Sequence, residues 1–126
     1  MKIKQILLAT LLVLAATMAH ALDIQPYTAT ALAAAQKADQ PIALHFHADW
    51  CPTCRAQTAV LQKLKSEKGL DLTVLVVNYD TEKALKRRFK VNAQSTLIVL
   101  KGQKEMDRLV GDTSPDGIRT ALKSAL

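Results

Sequence analysis

The run Ile42-Ala43-Leu44-His45-Phe46-His47-Ala48-Asp49-Trp50-Cys51-Pro52-Thr53-Cys54-Arg55 decides the reading of this chain. Its first six residues are β-prone and mostly apolar, so Ile42–His47 is predicted to be a strand. A helical pattern follows from Cys51 to Lys68, with Val60, Leu61 and Leu64 on one face and Gly69 ending it. Two cysteines therefore stand where a strand gives way to a helix. Disulfide exchange needs a thiolate, because the thiol is a poor nucleophile. A helix N-terminus offers unpaired N–H groups and about half a positive charge, and both favour anionic sulfur. Pro52 has no N–H to lose in the first turn. Cys54 lies one turn further on, within reach of a mixed disulfide formed at Cys51.

C-x-x-C also occurs in zinc sites, but a structural zinc needs a second ligand pair. Only His45 and His47 are at hand, two apart on one strand and so on the same face. No metal is expected there. A structural disulfide is also a poor reading, since a loop this short constrains the unfolded chain little. Cys51 and Cys54 are read as a redox pair.

Outward from this run, Thr30–Ala38 is an alanine-rich helix stopping before Pro41, and a weak first strand lies near Ile24–Tyr27. Leu72–Asn78 is a valine-rich run, as expected of a strand covered on both faces. Thr81–Lys90 is a short helix with Leu85 and Phe89 four apart. Thr96–Leu100 and Glu105–Val110 flank a turn at 101–104. Ser114-Pro115 reads as an N-cap and first helical residue, followed by Ile118, Ala121, Leu122 and Ala125 as an apolar stripe. The expected order is β-α-β-α-β-α-β-β-α. The expected fold class is α/β, a central mixed β-sheet flanked by helices on both faces.

The first 21 residues read as a signal peptide. Lys2 and Lys4 precede an apolar stretch from Ile6 to Ala16, and Ala19-His20-Ala21 resembles a peptidase site. The stretch is short for a membrane span, which takes about 20 residues. No cysteine follows to carry a lipid. Residues 22–126 then form one domain, and its charge falls from +6 for the whole chain to +4 without those two lysines. Export to an oxidising compartment, most simply a bacterial periplasm, suits a disulfide. Lys83, Lys86, Arg87, Arg88 and Lys90 crowd one segment, read as a solvated helix face, with an acidic partner or anionic surface as the sharper alternative. Aromatic residues are few and not interleaved with these cations, so nucleic acid is not an expected partner.

The stretch Ala48-Asp49-Trp50-Cys51-Pro52-Thr53-Cys54-Arg55 resembles the thioredoxin superfamily, and the likeness runs from about Ile24 to Leu126. Asn78-Tyr79-Asp80 is similar to the end of that family's central strand, and Gly111 to its glycine before the last helix. The Trp-Cys-Pro-Thr-Cys-Arg run also resembles exported cytochrome-c-maturation thioredoxins, whose usual insertion this chain has no room for. The resemblance implies a thioredoxin fold, an exposed attacking Cys51, a buried resolving Cys54, and Trp50 shielding the pair. It implies protein thiols or disulfides as partners, a membrane electron donor, a monomer, and no cofactor beyond the redox disulfide.

Three positions depart from the family. Ser95, in Ala93-Gln94-Ser95-Thr96, stands where most thioredoxins have a cis-proline. A non-proline cis bond costs about 2.5–4 kcal/mol, so a trans bond is expected, with a new backbone N–H available to substrate. His45 replaces a buried aspartate and is a candidate proton acceptor for Cys54. Val76 replaces a buried lysine. Strongly oxidising relatives carry histidine before the second cysteine. Thr53 stands there instead, which favours the reducing side. A second reading, a metal or iron–sulfur site on the same thiols, follows from the loss of proline at Ser95.

Overall fold

The computed structural model describes residues 21–126, so the proposed signal peptide lies almost wholly outside the described residues. Five strands and four helices follow in the expected order. They are β1 (Asp23–Pro26), α1 (Ala29–Lys37), β2 (Pro41–His47), α2 (Pro52–Leu64), β3 (Thr73–Asn78), α3 (Lys83–Arg88), β4 (Thr96–Lys101), β5 (Lys104–Val110) and α4 (Pro115–Lys123).

The strands form one sheet in the order β1-β3-β2-β4-β5. β1, β3 and β2 are parallel, while β4 and β5 are antiparallel to their neighbours. β2 thus has a partner on each side, and its C-terminal end is held from both. Its residues alternate between two cores. Ile42, Leu44 and Phe46 join Leu32 of α1 and Leu85 of α3 on one face. Ala43 joins Leu61 and Leu64 of α2 and Ile118 and Leu122 of α4 on the other. By the strand's period of two, His45 and His47 fall on the α2 side. That alternation puts histidines, not aliphatics, beneath the helix that carries the cysteines.

Helix α4 starts as the sequence predicts. The Ser114 hydroxyl accepts the Gly117 N–H, and Pro115 opens α4. Thr28 caps α1 in the same way. Helix α2 ends at Leu64, four residues before the expected end at Lys68, and turns carry the chain to Gly69 at φ 89°. The C-terminal helix is tied to that region by Arg119, whose guanidinium donates to both oxygens of Glu67 at 2.8 and 2.6 Å. Among the described residues no helix is long and apolar enough to cross a membrane.

Candidate active site: a dithiol at a helix N-terminus

Cys51 is the N-cap of α2, and its sulfur does what a serine or aspartate oxygen does at other helix starts. Sγ accepts the Cys54 N–H at 3.2 Å, and the Thr53 N–H also points to it. Burial pushes the Cys51 thiol up. Hydrogen bonds from the Cys54 and Ser95 side chains and from these two N–H groups outweigh burial, leaving the thiol below its ordinary value. Cys54 moves the other way. Burial raises it first, and the bond it gives to Cys51 raises it further. The pair therefore holds its first negative charge on Cys51 and its last proton on Cys54. Both cysteines are free thiols.

Cys51 is not the exposed thiol that the family resemblance implies, since the residue is only 3% exposed and Cys54 0%. Ala48 and Tyr79 pack around the two sulfurs. Trp50 is largely turned to solvent. It is 59% exposed, and its indole N–H is committed to Asp80 at 2.8 Å. Pro52 is exposed and Thr53 half-buried at the start of the helix.

Ser95 is the side chain the fold brings to the dithiol. Its Oγ lies 3.3 Å from Cys51 Sγ and 3.0 Å from Cys54 Sγ. No cis peptide bond occurs among the described residues, and Ser95 instead sits at φ 63°. Its N–H is bonded to Phe46 O at 2.9 Å, so it is not free to meet a substrate as the sequence suggested. Its carbonyl accepts from Gly111 N–H and from Gln57 Nε2, each at 3.0 Å.

Gln57 was not singled out by the sequence, yet it knots the site together. Its Nε2 donates to the carbonyls of Ser95 and Asp112, so its Oε1 must face His45 Nε2, 2.9 Å away. That fixes the tautomer. His45 Nε2 carries the hydrogen, and Nδ1 is a buried lone pair with no hydrogen-bond partner. Burial first, and then His47, lower the imidazole to about 4 against the raising effect of Gln57. Cys54 is raised above an ordinary 9.0. Burial therefore disfavours a proton on His45 and favours one on Cys54, which opposes transfer between them. The structure thus gives His45 to Gln57 and leaves it a poor proton acceptor for Cys54. His47 is bonded to Asp49 at 2.9 Å. Val76 is half-buried in β3.

The Gln57 knot has a measurable consequence. Gln57→Leu keeps the side-chain bulk but strands the His45 N–H and the Asp112 carbonyl. Each stranded group costs about 1–3 kcal/mol. Denaturant unfolding is expected to show a loss of roughly 2–4 kcal/mol. A change within 0.5 kcal/mol would mean that the knot carries no stability.

Of the five clustered cations, two have roles in the fold. Lys86 Nζ sits 3.8 Å over the Tyr79 ring, and Arg88 donates to Gln36 at 2.9 Å. Lys83, Arg87 and Lys90 are exposed beside a shallow groove. No group of three or more His, Cys, Asp or Glu side chains among the described residues is placed to share a metal ion. The metal or iron–sulfur reading of Cys51 and Cys54 finds no support in this donor set.

A mixed sheet whose central strand leads into a helix capped by one cysteine, with a second cysteine in its first turn, defines a dithiol protein of the thioredoxin fold. A family model described as Thioredoxin matches residues 25–124, and the chain belongs to the thioredoxin family. Thioredoxin of Mycobacterium tuberculosis (strain ATCC 25618 / H37Rv) is 34% identical over 73 residues, 58% of this chain and 63% of that protein. A thioredoxin H-type of Brassica campestris is 32% identical over 80 residues, 64% of each chain. The chain thus spans somewhat less than two thirds of these curated relatives. The crystal structure of Trxlp from Edwardsiella tarda EIB202 is similar over 79% of this chain and 98% of that one, with 37% identity and a TM-score of 0.74.

Proposed function

We propose that this protein is an exported thiol–disulfide oxidoreductase that reduces disulfides in protein partners through Cys51 and Cys54. The observation that carries this reading is the position of Cys51 Sγ at the N-cap of α2, 3.2 Å from the Cys54 N–H, with its thiol below the ordinary value. Cys51 as thiolate attacks the substrate disulfide and forms a mixed disulfide, and the first substrate sulfur leaves. Cys54 then attacks Cys51 Sγ and releases the second substrate sulfur. The substrate ends as two thiols and the protein as a Cys51–Cys54 disulfide. Thr53 between the cysteines offers no cationic side chain to stabilise the reduced form strongly, which supports the reducing side.

Residues 1–21, with Lys2, Lys4 and the Ile6–Ala16 run, support export to a bacterial periplasm and release of residues 22–126. In that compartment the protein would act as a monomer, need no cofactor beyond its own disulfide, and draw electrons from a membrane donor. The direction of exchange is tested by the reduction potential of the Cys51–Cys54 couple in a glutathione or dithiothreitol redox series. A value near about −270 mV is expected, and one near about −120 mV would make the protein an oxidant.

A further inference from the structure

Ser95 combines three features. Its backbone is in the left-handed region at φ 63°, which a residue with a Cβ adopts at a cost of roughly 1 kcal/mol or more. Three hydrogen bonds hold it there, through Phe46 O, Gly111 N and Gln57 Nε2. The outcome of that clamping is a buried hydroxyl in contact with both sulfurs, at 3.3 and 3.0 Å. A hydroxyl has one hydrogen to donate, and that hydrogen is free to rotate. It can serve one sulfur at a time.

We propose that the Ser95 hydroxyl is a rotating hydrogen-bond donor that stabilises Cys51 as thiolate before attack and Cys54 as thiolate during resolution. This deepens the oxidoreductase reading and rests on it. In the reduced protein, Ser95 O–H and Cys54 S–H both donate to the Cys51 thiolate. Once Cys51 is bonded to the substrate sulfur it is neutral and a weak acceptor. The hydroxyl then turns to Cys54, whose proton passes to water. The Cys54 thiolate forms the bond to Cys51 Sγ as the Cys51–substrate bond breaks, and the departing substrate thiolate takes a proton from water. Gln57 is a positioning residue here, since it acts on the sulfurs only by holding the Ser95 carbonyl.

The other titratable groups around the pair are engaged elsewhere. His45 is bonded to Gln57, and His47 to Asp49. Asp80 accepts from Trp50, Arg55 donates to Asp49 O, and Tyr79 donates to Asn92 O. The Asp112 carboxylate accepts from Ser114. No described carboxylate, imidazole or cation hydrogen-bonds either sulfur.

The test is stopped-flow reduction of a fluorogenic peptide disulfide by excess reduced protein, with attack and resolution read as separate phases across pH. Ser95→Ala removes the hydroxyl. Ser95→Gly removes it and also relieves the strained φ, so it separates lost chemistry from lost folding. Both variants are expected to melt near the parent temperature. In both, the apparent pKa of each phase rises by about one pH unit, and each phase slows about tenfold at pH 7. Unchanged pH profiles, or a shift in the attack phase alone, would overturn the rotating donor while leaving the oxidoreductase reading intact. A parent protein that shows neither phase would overturn both.

Discussion

Cys51→Ser protein is expected to show no disulfide reduction above the uncatalysed background when a dithiol supplies electrons. A serine hydroxyl is not ionised near neutral pH, so the N–H groups that hold Cys51 Sγ have no thiolate to present. Cys54 cannot stand in for it, because burial holds its thiol above the ordinary range. Cys54→Ser is expected to fail differently. It keeps the attacking thiolate and loses only the resolving one, so a single equivalent of substrate is captured and turnover stops. Insulin turbidity or a peptide disulfide assay reads the difference. Equal residual activity in the two variants would break the assignment of roles.

The second large effect is on stability against pH. His45 is 1% exposed and held at about 4, while an unfolded histidine titrates near 6.5. Its folded value is lowered, so between these two pH values the unfolded chain binds the proton and the folded protein does not. Stability then rises with pH, and acidification removes it. About 3 kcal/mol is expected to be lost between pH 6.5 and pH 4. Glu67 and Asp112 are held below their ordinary 4.5 and 3.8, so their contributions are lost only at the acid end of this window or beyond it. Urea unfolding across pH measures the slope, and His45→Asn is expected to flatten it. An imidazole signal from His45 titrating near 6.5 in the folded protein would contradict this account.

Much of the fold is legible in the sequence because local signals and burial agree. The β-prone run Ile42–His47, the cap at Ser114 and the valine run in β3 each specify their element without help from distant contacts. Helix α2 is misjudged at its end because Gly69 reads as its stop, while the polar run Lys65-Ser66-Glu67-Lys68 already lies in turns after Leu64. The cysteine pair is legible because its chemistry is local, a spacing of one helical turn at a strand end.

What surrounds the pair is not local. Ser95 reaches the sulfurs from 41 and 44 residues away, and its left-handed backbone has no mark in Ala93-Gln94-Ser95-Thr96. Gln57 looks like an ordinary polar position in the helix. Its burial at 1% follows only from the histidine that β2 places beneath it. The one clue in the sequence is the spacing of Cys54, Gln57 and Leu61, which puts a glutamine on the buried stripe. Trp50 also depends on a distant partner. A tryptophan beside two cysteines suggests a cover, and Asp80, 30 residues on, holds its indole N–H.

Cys51 is the sulfur expected to meet the substrate. Acid-quenching the Cys54→Ser protein after mixing it with a peptide disulfide, then mapping the covalent product by mass spectrometry, shows which sulfur has reacted. One peptide thiol joined to Cys51 is the expected product. Recovery of unmodified Cys51 under conditions where the parent protein turns over would contradict it.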